Sequence, residues 1–236
     1  MLTFRRTTAT AIVALSLALA ACGDDFNADP AAHPAGLLTA GDFNVNSTGS
    51  ETSNLMFALQ EAGFPLDTTS AEDSTSIAGL IAGKDLLFLP EVTPNFDNGT
   101  RAILHQFVNA GGTIVLVGGY EHVDWVNETF GFHLALTEDF YLGRPMARVM
   151  TPGTGELPGP ATIPGNDGGT YLNPDSLPRG ATAIYMGENG SRDVSVAVLR
   201  AGNGRLIYFG WDWYNGAPKG TQDGGWRKLL RATALP

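Results

Sequence analysis

Two short apolar runs constrain the fold of this chain more than any other feature. Residues 86–89 (Leu-Leu-Phe-Leu) and 113–117 (Thr-Ile-Val-Leu-Val) contain no charged side chain, as expected of strands that are covered on both faces of a parallel sheet. Between them, residues 98–110 carry apolar side chains at helical spacing and stop at a Gly-Gly pair. A strand, a helix and a second strand in this order predict a parallel crossover unit.

The same alternation continues along most of the chain. Further strands are predicted at residues 36–40, 63–67, 183–186, 194–199 and 205–209, and further helices at residues 52–62, 77–81 and 226–234. Residues 201–204 (Ala-Gly-Asn-Gly) predict a hairpin turn. Half of the 14 prolines lie within residues 145–180. We therefore predict an α/β fold with a mostly parallel sheet flanked by helices, and a Pro/Gly-rich β elaboration in the C-terminal half.

The N-terminus has the pattern of an export signal. Arg5 and Arg6 precede an uncharged, apolar stretch at residues 7–21, which is shorter than the roughly 20 residues that span a bilayer. The stretch ends in Leu19-Ala20-Ala21-Cys22 and resembles a bacterial lipobox. That resemblance implies cleavage before Cys22 and a diacylglyceryl group, with acyl chains of the palmitate type, on its thiol. An ordinary Ala-x-Ala cleavage site is the alternative.

Cys22 is the only cysteine, so an intrachain disulfide and a multi-cysteine metal site are excluded. Residues 1–21 are then a signal peptide, residues 22–35 a flexible tether and residues 36–236 one domain. An Asp directly after the lipidated cysteine resembles an inner-membrane retention signal, whereas here the first acid comes one place later, at Asp24. We therefore expect an outer-membrane address in a Gram-negative cell, with the domain outside the cytoplasm.

The chain is acidic, with a formal net charge of -10. Removal of the signal peptide takes away Arg5 and Arg6 and leaves 12 basic residues against 24 acidic ones. Such a surface repels phosphate backbones, so we expect no nucleic-acid partner. The expected partners are a membrane, through the lipid, and a saccharide or another protein of the cell envelope.

Three segments resemble the class I glutamine amidotransferase-like fold: residues 86–91, 107–120 and 204–213. The resemblance implies a flavodoxin-like sheet over about residues 36–236. In catalytic members a cysteine nucleophile follows the central strand, at about the place of Tyr120, and a histidine follows the last strand, near Gly210. Neither residue type is present there, and the one thiol is Cys22. Because acyl transfer needs a nucleophile within reach of a base, the resemblance supports the fold and not the glutaminase chemistry.

Doubly wound sheets bind ligands outside the carboxyl ends of their strands. The sequence places acids, aromatic residues and one histidine at this edge as candidates for ligand binding: Asp42, Glu91, Tyr120, Glu121, His122, Trp211, Asp212, Trp213, Tyr214, Asp223 and Trp226. No His-x-x-His, His-Glu-x-x-His or calcium-loop spacing occurs in the sequence. We therefore expect neither a metal nor another cofactor.

The favoured function is a non-catalytic binding or interaction module of a membrane-tethered lipoprotein. Its ligand would be a saccharide or another envelope component, stacked on Trp211, Trp213, Tyr214 or Trp226, with Asp212 and Asp223 accepting its hydroxyl protons. The other interpretation of these tryptophans is packing against the final helix.

Two further functions stay open. A cell-envelope hydrolase would use Glu91, His122 and Asp212 as its acid and base groups. A scaffold subunit of an envelope assembly would present the Pro/Gly-rich segment at residues 145–180 as its contact surface.

Overall fold

The computed structural model describes most of the domain: residues 28–39, 51–90, 96–118, 123–137, 145–150, 157–165, 170–187, 192–211, 213 and 224–235. The strands are β1 (Ala35–Leu38), β2 (Leu66–Thr69), β3 (Leu86–Pro90), β4 (Thr113–Val117), β5 (Leu136–Thr137), β6 (Pro145–Arg148), β7 (Thr162–Pro164), β8 (Tyr171–Leu172), β9 (Thr182–Gly187), β10 (Val194–Ala201) and β11 (Gly204–Phe209). The α-helices are α1 (Glu51–Ala62), α2 (Ser74–Ile81), α3 (Asn98–Asn109), α4 (Asp124–Phe130) and α5 (Trp226–Ala232).

The eleven strands of the described residues form one sheet. Strands β2, β1, β3, β4 and β11 lie side by side in this order and run parallel to one another. Strands β10, β9, β6 and β7 continue the sheet in antiparallel pairs, and β8 links β10 to β5. Strand β4 is central, with its Val115 opposite Phe88 on one side and Ile207 on the other.

The prediction of a mostly parallel sheet is wrong, because the described sheet contains six antiparallel strand pairs and four parallel ones. The predicted hairpin explains why the strand direction changes between β11 and β10. Strands β10 and β11 are joined by Gly202 and Asn203 alone, and a parallel pair would need a crossover of a dozen or more residues. The α/β class, the flanking helices and the β elaboration, which supplies β6, β7 and β8, are confirmed.

Helices cover both faces of the parallel half. Val115 and Val117 of β4 lie in one core with residues of α1 and α5, whereas Ile114 and Leu116 lie in a second core with residues of α2, α3 and α4. Successive side chains of a strand point to opposite faces, so an uninterrupted apolar run fills both cores. Burial of each of these side chains contributes about 1.5–3 kcal/mol.

The packed chain begins ahead of the predicted boundary at residue 36. Ala28 and Pro30 are buried, and Nδ1 of His33 lies 2.9 Å from Oδ2 of Asp85. Asp85 directly precedes β3. The chain therefore enters the domain at the amino-terminal edge of the sheet.

Two helices begin at aspartates that cap them. Asp73 accepts hydrogen bonds from the backbone N–H groups of Thr75 and Ser76, and Asp97 accepts one of 2.7 Å from that of Thr100. Bonds of this kind favour the ionised carboxylate. The side-chain hydrogen bond from Ser76 lowers the pKa of Asp73, and the backbone hydrogen bond from Thr100 lowers that of Asp97.

Candidate functional site

The carboxyl ends of the central strands lie together. The register places Pro90 of β3 and Phe209 of β11 on either side of Val117, the last residue of β4. The next residue, Gly118, has a φ of 108° and donates its N–H to the backbone oxygen of Phe209 at 3.1 Å. This edge is where doubly wound sheets bind ligands.

Most of the predicted site residues lie outside the described residues: Asp42, Glu91, Tyr120, Glu121, His122, Asp212, Tyr214 and Asp223. Cys22 also lies outside them. The hydrolase hypothesis, which rests on Glu91, His122 and Asp212, therefore stays a prediction. Three predicted residues remain to be placed: Trp211, Trp213 and Trp226.

The three tryptophans are packed in the core. Trp211 and Trp213 are each 2% exposed and Trp226 is 0% exposed. The ring centroid of Trp211 lies 6.4 Å from that of Trp213 and 5.3 Å from that of Trp226. The indole N–H of Trp226 donates to the backbone oxygen of Pro164 at 2.9 Å. The rings of the three tryptophans are therefore packed in the core. This is the alternative to ligand stacking that the sequence left open.

Trp213 adopts a strained backbone conformation. Its φ of 66° lies in the left-handed region, which costs a non-glycine residue about 1–2 kcal/mol. The side-chain amide of Asn54, in the first turn of α1, donates to the backbone oxygen of Trp213 at 3.0 Å. Residues held in such conformations cluster at functional sites, where the surrounding structure maintains the strain.

The first turn of α1 is polar and buried. Thr52, Ser53 and Asn54 are 0%, 6% and 3% exposed, although buried positions usually hold apolar side chains. Sequence reasoning missed these residues, because the helix was recognised from the apolar spacing that follows them. The available signal was the run of four polar residues, starting at Glu51, directly ahead of a buried helical face.

The buried polar atoms at this edge that lack a hydrogen-bond partner include Oγ1 of Thr52, Nε1 of Trp211 and Nε1 of Trp213, which we call the donor cluster, and no described residue bonds to them. An unsatisfied buried donor costs about 1–3 kcal/mol, and nearly all buried polar groups in native proteins are paired. Trp125 Nε1 is a further such atom, but it lies in the core on the other face of the sheet.

The β elaboration contacts the same edge. Tyr208 of β11 donates its hydroxyl to the backbone oxygen of Thr170 at 2.9 Å, and Oγ1 of Thr170 donates to the oxygen of Gly118 at 3.4 Å. A Cβ on Gly210 would lie 2.4 Å from the oxygen of Thr170, so only glycine permits this approach. Thr170 therefore lies against the ends of β4 and β11, where the resembling enzymes place their nucleophile and histidine.

A cavity of about 270 Å³ lies at the opposite, amino-terminal edge of the sheet. His33, Asp85 and Arg205 are among its lining residues. The guanidinium of Arg205 donates to the backbone oxygens of Thr233 and Leu235, which follow α5. Arg205 thus satisfies carbonyl groups at the end of a helix.

The described residues contain no group of three or more His, Cys, Asp and Glu side chains that could hold a metal ion. Within the same residues, no helix combines the length and apolar character needed to cross a bilayer.

No protein-family model and no curated protein matches the chain. Solved structures do match. A ThuA-like protein from Bacteroides uniformis is 15% identical, with a TM-score of 0.56 over 88% of this chain and 93% of that one. The mmIFT52 N-terminal domain is 15% identical, with a TM-score of 0.55 over 77% and 86%.

A protein of the GMP synthase type from Thermoplasma acidophilum is 14% identical, with a TM-score of 0.52 over 86% of this chain and 92% of that one. At such low identity these matches concern the fold alone. The chain therefore has an amidotransferase-type α/β fold, as its sequence predicted.

Proposed function

We propose that the chain is an exported protein, anchored in a membrane by a lipid on Cys22, whose amidotransferase-type domain binds a ligand without catalysing acyl transfer. The observation that carries the proposal is the end of β4. The sequence there reads Gly118-Gly119-Tyr120, with no nucleophilic thiol, and the one cysteine of the chain lies in the lipobox-like motif.

The described surroundings of β4 support a non-catalytic role. Nucleophilic acyl transfer needs a hydroxyl or thiol that is hydrogen-bonded to a base. The hydroxyl of Thr170, which contacts the end of β4, bonds to the backbone oxygen of Gly118 and to the hydroxyl of Tyr208. Neither group is a general base at neutral pH.

Buried polar groups at the same edge support ligand binding. Thr52, Trp211 and Trp213 form the donor cluster, and Asn54 holds Trp213 in a strained conformation. Such an arrangement lowers the stability of the empty domain, and a bound ligand with suitable acceptors would recover that stability.

The position of the N-terminal segment is compatible with a membrane anchor. His33 contacts Asp85 at the amino-terminal edge of the sheet, whereas the donor cluster follows the carboxyl ends of the strands. The five residues of β4 separate the two edges by about 16 Å. An anchored domain of this kind would attach by one edge and present the ligand edge away from the lipid.

Fractionation of cells that express the full chain tests the anchor. We expect the wild type in the membrane fraction and Cys22→Ser in the soluble fraction. Gly23→Ala is the matched control, because it alters the neighbouring residue and keeps the thiol. Membrane retention of Cys22→Ser would contradict the anchor, and thiol-independent glutamine hydrolysis by that variant would contradict the non-catalytic role.

A further inference from the structure

We propose that the cavity at the amino-terminal edge of the sheet is a binding site for a small phosphate compound, held by the guanidinium groups of Arg200 and Arg205. The site lies at the opposite edge of the sheet from the donor cluster and does not depend on the ligand of that cluster. A free phosphate ester and the headgroup of a phospholipid carry the same chemistry, and only the second source rests on the proposed anchor.

The two arginines form a pair of like charges. Arg200 of β10 and Arg205 of β11 lie directly opposite each other in the antiparallel ladder. The backbone N–H of Arg205 bonds to the oxygen of Gly112, on the side of β4, at 3.3 Å. The arginines are therefore a non-hydrogen-bonded pair, in which the Cα atoms are about 4.5 Å apart and the side chains share one face. Like charges placed in this way repel each other, and an anion between them would offset the repulsion.

Both arginines line a cavity that is accessible from solvent. The cavity has a volume of about 270 Å³, close to the lower end of ligand pockets at about 300 Å³, which suits a small ligand. Arg205 is 6% exposed, whereas Arg200 and Asn203, which also line the cavity, are exposed. An anion can therefore enter from solvent without displacement of a segment.

The charges around the cavity favour an anion. Among the described residues that line it, two arginines stand against one acid, Asp85. The carboxylate of Asp85 contacts Nδ1 of His33 at 2.9 Å. This local excess of positive charge occurs in a chain with a formal net charge of -10. A concave site concentrates such a potential and attracts ions of the opposite sign.

The fold positions Arg205 for this role. Its guanidinium donates to the backbone oxygens of Thr233 and Leu235, and both bonds use the same nitrogen, Nη2. These bonds fix the orientation of the side chain. A guanidinium has five N–H donors, so Arg205 can bind an anion and keep both bonds.

The number of arginines favours a phosphate over a carboxylate. One guanidinium fork is enough for the two oxygens of a carboxylate. A phosphate carries more oxygens around a single centre, so it can accept from the forks of Arg200 and Arg205 together. We therefore expect phosphate compounds to bind more tightly than carboxylates.

The location of the cavity suggests where the phosphate comes from. His33, in the predicted tether, is one of the lining residues. In an anchored protein this edge of the sheet would face the lipid, so that headgroup phosphates lie within reach. Phosphodiesters represent this source, whereas monoesters and inorganic phosphate represent the free source.

The test is a calorimetric and thermal-shift titration of the lipidated full chain in dodecyl maltoside, a detergent without phosphate. The probes are sodium phosphate, glycerol 3-phosphate and the diester glycerophosphoethanolamine, with sodium acetate as the carboxylate and constant ionic strength. We expect at least one phosphate compound to bind, to raise the Tm, and to bind about 10-fold more tightly than acetate. Binding of the diester would support the lipid source, and binding of the other two alone would support the free source.

Arg200→Gln is the decisive variant, because Arg200 is exposed and its replacement leaves the buried Arg205 in place. Loss of one charge-assisted fork should weaken phosphate binding by about 10-fold or more. Arg192→Gln is the matched control. It also removes one exposed positive charge, but Arg192 lies beside Asp175 and is not among the residues that line the cavity. This control should bind phosphate as the wild type does.

Three results would overturn the proposal. Wild-type phosphate affinity in Arg200→Gln would place the anion elsewhere, and acetate affinity equal to that of phosphate would refute the ligand class. Absence of binding by all three phosphate compounds would refute the site itself. Membrane retention of Cys22→Ser would instead contradict the anchor and leave the phosphate site standing, so the two failures are distinguishable.

Discussion

The side-chain amide of Asn54 donates a hydrogen bond of 3.0 Å to the backbone oxygen of Trp213. This bond joins the first turn of α1 to a residue that lies 159 positions later in the chain. It therefore connects the parallel half of the sheet to the segment that follows its last strand.

Replacement of Asn54 with Ala should destabilise the domain by about 1–3 kcal/mol, because the buried oxygen of Trp213 loses this donor. Urea denaturation followed by tryptophan fluorescence measures the change. Asn109→Ala is the control, since Asn109 bonds at the surface with His105, and it should cost less than about 0.5 kcal/mol. Equal effects of the two variants would show that the bond does not hold Trp213.

Arg148 organises part of the Pro/Gly-rich elaboration. Its guanidinium donates to the backbone oxygens of Met150, Gly159 and Leu157 at 3.1–3.2 Å and lies over the ring of Tyr185. Lysine cannot reproduce this fork of donors. We expect Arg148→Lys to lose about 1–2 kcal/mol of stability, a figure reduced for its partial exposure.

Limited proteolysis provides a second measurement of Arg148→Lys, with faster cleavage expected between residues 149 and 160. Arg192→Lys is the matched control, because the one ion pair of Arg192 with a described residue is the exposed pair with Asp175 at 3.6 Å. This variant should behave as the wild type. Unchanged cleavage in Arg148→Lys would contradict the organising role.

The cap of α3 makes stability depend on pH. The hydrogen bond from the backbone of Thr100 lowers the pKa of Asp97 in the folded protein. The ionised Asp97 therefore stabilises the folded state above the ordinary pKa of Asp, and this stabilisation is lost as the pH falls through the lowered pKa. Burial raises the pKa of Glu72. Protonation of Glu72 on acidification therefore increases the stability of the folded protein, which is opposite to the effect of Asp97.

Asp97→Asn separates the two effects, because asparagine caps a helix about as well and does not titrate. We expect the wild type and Asp97→Asn to have similar Tm values at pH 7. Between about pH 5 and pH 2 the wild type should lose more stability than the variant. Parallel Tm curves over that range would refute the assignment.

The parts of the fold that were predictable from the sequence are those with local signals. The run at Thr113–Val117 coincides with β4, because a strand buried on both faces needs apolar residues at every position. The Gly-Asn pair at 202 and 203 marks the hairpin, because its residues suit a tight turn.

The parts that were not predictable depend on distant partners. Thr52 and Asn54 look like an ordinary polar helix start, and the hydrogen bond of Asn54 to Trp213 joins residues 159 positions apart in the chain. The pairing of β8 with both β10 and β5 was likewise not predictable, because β5 and β8 have two residues each and are too short to show a periodic pattern. Aromatic content alone makes Trp211 and Trp213 candidates for ligand binding. Only the fold shows that their rings are buried and that their indole N–H groups have no partner among the described residues.

The proposed lipid on Cys22 would occupy the one thiol of the chain. Mass spectrometry of the N-terminal peptide from protein purified out of a bacterial membrane tests it most directly. We predict that the mature chain begins at Cys22 and carries a diacylglyceryl group on sulfur. A mature chain with an unmodified Cys22 thiol, or one that retains residues 1–21, would contradict the account.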